Sequence, residues 1–125
     1  MRLSDLDVLI ADDHEAMRVM LTRVLVRVGV RSVRASASGT DALFKMAEQI
    51  PHLVLVDQRM PGMDGLAFIG AVRADEALRN TKIVMISGAS SDEHIAAARA
   101  AGADAVLVKP VSARALIETI ERVIA

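Results

Sequence analysis

The chain contains no cysteine, tryptophan or tyrosine, and phenylalanine occurs only as Phe44 and Phe68. Without cysteine, both a disulfide framework and a thiolate metal site are excluded. With so few aromatic residues, the stacking platforms that bind nucleic-acid bases or flavin rings are also largely excluded. The core must therefore be aliphatic, built from valine, leucine, isoleucine, methionine and alanine.

Nor does the chain carry an excess of charge of either sign. The 15 basic and 16 acidic residues give a net charge of −1, and neither terminus carries a charged tail. Such a balance gives no indication of the basic surface that a protein uses to bind nucleic acid or an anionic membrane. No segment near the N-terminus has the apolar length of a signal peptide or a membrane span. We expect a single cytoplasmic domain over residues 1–125, with neither a nucleic-acid nor a membrane partner.

One apolar segment, Leu53 to Val56, lies between Pro51 and Pro61 and is followed by Asp57. Four consecutive apolar residues are typical of a short strand that is buried on both faces. A carboxylate at the end of such a strand is costly to desolvate and adds little to packing. Asp57 is therefore a candidate functional residue, although a turn or a helix cap would equally explain an isolated aspartate.

The rest of the chain alternates between strand and helix patterns. Further strands are predicted over residues 6–11, 31–36, 83–86 and 103–108, and helices fill the intervals and the C-terminal segment. The strand over 31–36 alternates weakly, which suits a sheet edge. Ser38, Ser90 and Ser112 are predicted helix caps, with Ser90 and Glu93 forming a capping box. The helix after Ser90 is rich in alanine, so we expect it to be lightly anchored.

Five strands alternating with five helices predict an α/β fold, a doubly wound parallel sheet with helices on both faces. Ligands bind such sheets outside the carboxyl ends of the strands. Polar residues follow four of the predicted strands at those ends: Asp12, Asp13, Asp57, Ser87 and Lys109. We expect these side chains to converge on one site.

The chemistry of this set favours phosphoryl transfer. Three crowded carboxylates raise one another's pKa unless a cation lies between them, and ligands that are all oxygen favour Mg²⁺ over Zn²⁺. Lys109 and Ser87 supply an ammonium and a hydroxyl, the groups that a phosphoryl oxygen would contact. Such a site is suited to phosphorylation of one of its own carboxylates.

The motifs together resemble the receiver domain of two-component response regulators, the CheY-like family, over essentially the whole chain. They are the Asp12-Asp13 pair, Asp57 with the segment MPGMDG at 60–65, Ser87 followed by small residues, and Lys109-Pro110. The resemblance implies the flavodoxin-like strand order 2-1-3-4-5, which is known for CheY itself. It also implies a switch that is phosphorylated on Asp57 by a sensor histidine kinase, a histidine phosphotransfer protein or a small phosphodonor.

The resemblance implies a role for each residue of the site. Asp13 and Asp57 would bind Mg²⁺, with Mn²⁺ as an alternative, Asp12 would bind it through water, and the backbone carbonyl of Arg59 would complete the shell. Lys109 would contact the phosphoryl group, and Ser87 would move to hydrogen-bond it. The supporting positions are Gly65, Ala89, Val106 and Pro110, the last after a cis peptide bond. The domain would catalyse its own phosphorylation and dephosphorylation without being a conventional enzyme.

Several residues depart from the family pattern or compete for a role. Val106 stands where relatives carry an aromatic residue that turns inward, so we expect it to pack at the strand surface. Arg59 is either a solvated loop side chain or a group that reaches the phosphoryl group and alters its lifetime. Ala89 offers no polar side chain to orient a water. His14 resembles a ligand, but a surface or capping role is the simpler interpretation.

The resemblance places the output surface on the fourth helix, fifth strand and fifth helix, in a monomer or a weak phosphorylation-dependent dimer. Val19 and Val26 lie seven residues apart on one face of the first helix; they are either ordinary surface valines, the simpler interpretation, or part of a surface that docks a phosphodonor helix. Because no effector domain follows Ala125, we expect a stand-alone module, with an excised receiver of a hybrid kinase or larger regulator as the alternative.

Other classes of protein remain as competitors. A non-phosphorylated adapter is one, although the complete acidic set argues against it. A hydrolase would need an acid at position 59, and a flavodoxin-like electron carrier would need aromatic residues.

Overall fold

The computed structural model describes residues 1–89 and 91–125, and it places five strands and five α-helices among them. A short 3₁₀ turn at Leu3–Asp5 precedes the first strand. The elements are β1 (Asp7–Ala11), α1 (Glu15–Arg27), β2 (Ser32–Ser36), α2 (Gly39–Glu48), β3 (Leu53–Asp57), α3 (Gly65–Ala74), β4 (Lys82–Ser87), α4 (Asp92–Ala101), β5 (Ala105–Val108) and α5 (Ala113–Ile124). All strand pairs are parallel, in the order β2-β1-β3-β4-β5, which confirms the predicted fold.

The sheet is covered on both faces by helices. Successive side chains of a strand point to opposite faces, so β3 contributes Leu53 and Leu55 to one core and Val54 and Val56 to the other. The first core includes α1 and α5, and the second includes α2, α3 and α4. All five residues of β3 are buried, as expected for a central strand, whereas most of β2 is only half-buried at the sheet edge.

Most of the predicted caps are confirmed. The side chains of Ser38 and Ser112 accept hydrogen bonds from backbone N–H groups at the starts of α2 and α5. The predicted cap of α4 is wrong, because Ser91 accepts the N–H of His94 and occupies that position. Glu93 is then one residue too early for a capping box with Ser91, and Ser90 lies outside the described residues.

The fifth strand begins at Ala105, two residues later than predicted. The reason is the side chain of Asp104, which accepts a hydrogen bond from the backbone N–H of Ile83 at 2.8 Å. The same carboxylate lies 3.1 Å from the guanidinium of Arg73. A side-chain contact therefore replaces ladder pairing at the entry to β5.

The helix α4 is held to the sheet more lightly than its neighbour α3. Ala98 is its one buried residue, whereas α3 buries Phe68, Ile69 and Val72 as well as a glycine. Burial of an alanine removes much less apolar area from water than burial of these larger side chains. The prediction of a lightly anchored helix is confirmed. No helix within the described ranges is long and apolar enough to span a membrane.

Candidate functional site

The candidate site lies at the carboxyl ends of β1 and β3, where the winding of the sheet reverses. Asp12 and Asp13 follow β1, and Asp57 is the last residue of β3. Each of these aspartates and His14 offers one ligand atom, and the four atoms lie within 4.8 Å of one another. The structure thus brings the three predicted carboxylates together.

Asp57 is a buried carboxylate, and only one of its two oxygens has a charged partner. Its side chain is 2 % exposed, and Oδ1 lies 2.9 Å from Nζ of Lys109. The other oxygen, Oδ2, has no hydrogen-bond partner among the described residues. Burial raises the pKa of Asp57, the nearby charges of Asp12 and Asp13 raise it further, and Lys109 opposes both effects.

The acidic pair shows the same lack of partners. Asp12 is 1 % exposed, and its Oδ1 accepts the backbone N–H of His14 at 2.8 Å. Its Oδ2 and the buried Oδ1 of Asp13 find no hydrogen-bond partner in the described ranges. Buried, unpaired carboxylate oxygens are costly unless a cation compensates them. Oxygen donors in this arrangement fit a hard divalent cation such as Mg²⁺.

Ser87 is buried at the end of β4 and bonds to a residue that the sequence did not indicate. Its hydroxyl donates a hydrogen bond to Oε1 of Gln58 and accepts one from the backbone N–H of Ala89 at 3.0 Å. The backbone carbonyl of Ser87 accepts the N–H of Lys109 at 2.8 Å, which links the ends of β4 and β5. The side chain of Gln58 therefore holds the Ser87 hydroxyl in this structure, with the carbonyl of Ala89 as a second acceptor at 3.1 Å.

A cleft of about 350 Å³ opens over Asp57. Its lining comprises His14, Asp57, Gln58, Arg59, Gly88, Ala89 and Lys109. Arg59 is exposed, and its side chain makes no hydrogen bond or ion pair with any part of the chain that the structure describes. A reach of this guanidinium toward the phosphoryl group stays a prediction. The Lys109-Pro110 peptide bond is cis, as the family resemblance implies.

Gly65 is required by the close approach of α3 to the end of β3. A Cβ atom at this position would lie 2.7 Å from the carbonyl oxygen of Asp57 and 3.0 Å from Cα of Gln58. Its N–H donates to the carbonyl of Gln58 at 2.8 Å. Only glycine permits backbone segments to come this close. The residue therefore positions the loop that follows Asp57.

Val106 and His14 lie where the sequence left alternatives open. Val106 is partly buried against the core on the α2, α3 and α4 side of the sheet, as expected for packing at the strand surface. His14 occupies the N-cap position of α1, but its side chain makes no capping hydrogen bond; at 63 % exposure it agrees with the surface interpretation and not with a capping role of the ring. Its ring nevertheless faces the acids, with Nδ1 3.2 Å from Oδ1 of both Asp12 and Asp13. The sequence could not reveal the orientation of this ring.

Comparison with known proteins agrees with this geometry. Residues 8–121 match the response regulator receiver domain family. The chemotaxis protein CheY of Pseudomonas aeruginosa is 33% identical over 116 residues, which cover 93% of this chain and 94% of that protein. The structure of CheY4 from Vibrio cholerae has a TM-score of 0.90 and 33% sequence identity, and the match covers 95% of this chain and 98% of that one.

A longer protein also matches. The sensory/regulatory protein RpfC of Xanthomonas campestris pv. campestris is 39% identical over 121 residues, or 95% of this chain. The chain spans only 16% of the length of RpfC. The matched family, the sheet order and the acidic site agree in assigning one class of signalling fold, and the chain belongs to the receiver domains of two-component response regulators.

Proposed function

We propose that the chain is a phosphorylation-dependent switch that accepts a phosphoryl group on Asp57 in a Mg²⁺-dependent reaction. One observation carries this proposal: Asp57 is buried, Lys109 pairs with its Oδ1, and its Oδ2 is unpartnered beside two further carboxylates. A buried acid with one oxygen held and the other unpaired is suited to act as a nucleophile. The proposed donor is a phosphohistidine on a sensor histidine kinase or a histidine phosphotransfer protein, or a small phosphodonor.

The proposed reaction is an in-line transfer. One carboxylate oxygen of Asp57 attacks the phosphorus, the bond from phosphorus to the imidazole nitrogen of the donor breaks, and an acyl phosphate forms on Asp57. The electron pair of the broken bond stays with the imidazole, and water later hydrolyses the acyl phosphate. Lys109 lies where its ammonium can stabilise charge on the transferred group. Mg²⁺ held by Asp13, Asp57 and the carbonyl of Arg59, with Asp12 through water, would neutralise the acids and the incoming phosphoryl oxygens.

The proposed switch starts with Ser87. In the structure its hydroxyl is bound to Gln58, so a contact with the phosphoryl group requires that this hydrogen bond be given up. A new anion shifts the population only as far as it binds the active state better, and reversing a ~1:99 ratio needs roughly 5.5 kcal/mol. The lightly packed α4 follows the loop after Ser87, which supports an output surface formed by α4, β5 and α5.

A second surface supports docking of the phosphodonor. A cleft of about 690 Å³ lies between α1 and α5, and residues such as Val19, Met20, Val24 and Ile117 make its lining largely apolar. Val19 is 41 % exposed and lines this cleft, so its side chain is accessible to a partner helix. We propose that a helix of the donor protein binds this cleft. Val26, at 61 % exposure, lies outside its lining.

The deciding experiment is phosphorylation of the purified chain with acetyl phosphate and Mg²⁺, followed by intact-protein mass spectrometry. We expect the wild type to gain one phosphoryl group and Asp57→Ala to gain none. NMR spectra with beryllofluoride should show shifts around Ser87 and α4 that also require Asp57. Asp64→Asn is the matched control, because Asp64 caps α3 without belonging to the acidic group. Wild-type protein that stays unmodified and gives no shifts would support a non-phosphorylated adapter instead.

One alternative concerns the context of the domain. The higher identity to a short part of RpfC supports the possibility that this sequence works as a receiver segment within a longer regulator. The chemistry at Asp57 would be the same in that setting. The source gene decides this alternative, since an open reading frame that continues past Ala125 or begins before Met1 would establish it. Turnover of an external phosphoester would instead support a hydrolase.

A further inference from the structure

We propose that Nδ1 of His14 is an additional metal ligand of this site. The site would then bind first-row transition-metal ions, such as Mn²⁺ and Ni²⁺, more tightly relative to Mg²⁺ than carboxylates alone would. This inference rests on the metal site of the proposed function and specifies which ions it takes. It converts a site of oxygen donors into one with three oxygens and a nitrogen.

The ring nitrogen lies among the acids rather than beside them. Nδ1 is 3.2 Å from Oδ1 of Asp12, 3.2 Å from Oδ1 of Asp13 and 4.0 Å from Oδ2 of Asp57. Donor atoms around one ion at about 2.0–2.2 Å lie at most about 4.0–4.4 Å apart. The four candidate atoms already lie within 4.8 Å of one another, so only a small contraction brings those of His14, Asp13 and Asp57 to bonding distance, with Asp12 held through water as in the proposed function.

Unpaired oxygens point to the same place. Oδ2 of Asp12, Oδ1 of Asp13 and Oδ2 of Asp57 are buried and lack hydrogen-bond partners within the described ranges. Asp12 and Asp57 are among the most buried polar residues, at 1% and 2% exposure. Groups this deeply buried are normally paired or bind metal. The carboxylates that flank His14 therefore retain unused donor capacity.

The backbone holds the imidazole at the site. The N–H of His14 donates to Oδ1 of Asp12 at 2.8 Å, and Arg18 Nη1 donates to the carbonyl of Asp12 at 2.8 Å. In the structure Nδ1 lies at hydrogen-bonding distance, 3.2 Å, from Oδ1 of Asp12, a contact in which Nδ1 carries the proton because a carboxylate only accepts. A metal ion would take the place of that proton, and the neutral imidazole would then carry its proton on Nε2, on a side chain that is 63 % exposed. Lys109 pairs with the other oxygen of Asp57, Oδ1, and so does not occupy the His14 side of that carboxylate.

The chemistry of the ions gives the expected selectivity. Mg²⁺ prefers oxygen ligands and keeps several of its waters, so it gains little from an imidazole. Manganese, cobalt and nickel accept imidazole nitrogen, with affinity rising along that series. Loss of His14 should therefore weaken nickel binding most, manganese binding less and magnesium binding least.

The test uses titration calorimetry with MgCl₂, MnCl₂ and NiCl₂ on the full chain and on His14→Asn. We expect the preference for Ni²⁺ over Mg²⁺ to fall about tenfold or more in the variant, the scale on which loss of a partner weakens metal sites. The Mg²⁺ affinity should change less than about twofold, because Mg²⁺ does not need the nitrogen. His94→Asn is the matched control, since His94 is a second exposed histidine outside the acidic group.

A spectroscopic measurement identifies the ligand directly. Pulsed electron paramagnetic resonance of the Mn²⁺ complex should show nitrogen hyperfine coupling in the wild type and in His94→Asn, and should lose it in His14→Asn. Absence of this coupling in the wild type, or an unchanged Ni²⁺ to Mg²⁺ ratio in His14→Asn, overturns the inference.

Failure of this inference can be told apart from failure of the proposed function. If Asp57-dependent beryllofluoride shifts with Mg²⁺ occur but nitrogen coupling does not, the switch stands and the His14 ligand is rejected. If nitrogen coupling occurs but the beryllofluoride shifts do not, the mixed-donor metal site stands and the phosphorylation switch is rejected.

Discussion

The two ends of the sheet bury aspartates in opposite ways. At the amino end of β1, Asp7 is 6% exposed and its carboxylate is well compensated: Oδ1 accepts the Ser32 hydroxyl at 2.7 Å and lies 3.4 Å from Nε of Arg31. Nδ1 of His52 accepts the backbone N–H of Asp7 at 3.0 Å, so it offers no proton to the second carboxylate oxygen, which lies 3.9 Å away. At the carboxyl end, Asp12 and Asp57 are buried at least as deeply, yet each retains an oxygen without a hydrogen-bond partner among the described residues.

This difference in partners distinguishes a structural aspartate from the aspartates of a binding site. A single buried carboxylate that is held by a hydroxyl and an arginine ties strands together, whereas a group of buried carboxylates with unpaired, inaccessible oxygens needs a ligand to complete it. The Ser32 contact of Asp7 joins β1 to β2. The carboxyl end carries mutual repulsion among three acids, which only a cation or a proton relieves.

The sharpest way to break this comparison is to remove one acid at each end. Asp57→Ala should abolish phosphorylation by acetyl phosphate, because the nucleophilic oxygen is gone. Asp7→Ala should retain phosphorylation while the chain stays folded, because its carboxylate lies at the opposite end of the strands. Intact-protein mass spectrometry with Mg²⁺ checks both, under conditions in which circular dichroism shows both variants folded. Modification of Asp57→Ala at the wild-type rate would move the phosphoacceptor to another residue.

The next effect is on stability at the amino end. Asp7→Ala leaves the Ser32 hydroxyl and the Arg31 guanidinium without their acceptor, so we expect the free energy of unfolding to fall by about 1–3 kcal/mol. Urea denaturation with EDTA present measures the change. Asp104→Ala is a useful comparison, because the Asp104 carboxylate also accepts a hydrogen bond, from the backbone N–H of Ile83, and also pairs with an arginine, Arg73. A loss of stability below about 0.5 kcal/mol for Asp7→Ala would contradict the view that this carboxylate is structural.

At the carboxyl end of the sheet we expect the opposite change: removing a carboxylate there should raise the free energy of unfolding. Asp57→Asn removes one of three repelling charges, and we expect it to raise the free energy of unfolding at neutral pH without metal by about 0.5–2 kcal/mol. The pKa of Asp57 is raised in the folded state, so that state binds more protons than the unfolded one. Wild-type stability from this group is therefore present at low pH and lost as pH rises through the folded pKa.

The stabilisation by Asp57→Asn should accordingly be largest above that pKa and fade as the solution is acidified. Urea denaturation across a pH series in EDTA measures it. Adding Mg²⁺ should reduce the difference in free energy of unfolding between Asp57→Asn and the wild type. It should stabilise the wild type, since a ligand that binds only the folded state raises stability by mass action. If Asp57→Asn raises the free energy of unfolding by the same amount at every pH, charge repulsion at Asp57 is not the cause of the stabilisation.

A smaller effect is expected where Gln58 holds Ser87. Removing the acceptor in Gln58→Leu weakens the resting position of the hydroxyl, and a hydrogen bond contributes about 0.5–1.5 kcal/mol. Beryllofluoride affinity should therefore rise about twofold to tenfold. Fluorine NMR titration measures it, with Gln49→Leu as the control at another glutamine. In a Ser87→Ala background the effect of Gln58→Leu should vanish, and persistence there would assign Gln58 a different role.

The smallest effect is expected at Arg59. Its side chain is exposed and makes no ion pair among the described residues, so Arg59→Asn should change the lifetime of phospho-Asp57 by less than about fivefold, the range of a solvated charge. Time-resolved mass spectrometry after removal of the phosphodonor measures the lifetime. A larger change would show that the guanidinium reaches the phosphoryl group or the acids.

The sequence predicted the fold and the position of the site from two kinds of signal. Apolar segments alternate with amphipathic helices, and polar residues stand where the strands end, so Asp12, Asp57 and Lys109 could be placed together before any coordinates. The side-chain partners of Gln58 and the ring orientation of His14 could not be predicted. Both depend on which neighbours the loops bring within reach, and no periodicity encodes that.

Local competition also explains the displaced boundaries. Two adjacent serines precede α4, and both are good caps, so propensity alone did not select Ser91 over Ser90. At β5, the strand pattern of Ala103 and Asp104 was overridden by the carboxylate of Asp104, which satisfies the N–H of Ile83 on the neighbouring strand. In both places, a polar side chain determined where the element begins.

The shallow seating of α4 has a consequence for how such a module diversifies. Seven of its ten residues, Asp92, Glu93, His94, Ala96, Ala97, Arg99 and Ala100, face solvent, and a change at a solvated helical position usually alters stability by less than about 0.5 kcal/mol. Mutations can therefore accumulate on this helix without unfolding the chain or touching the acids. Substitutions on the exposed face of α4 could therefore change which partner protein the domain binds, while the chemistry at the acidic site stays the same.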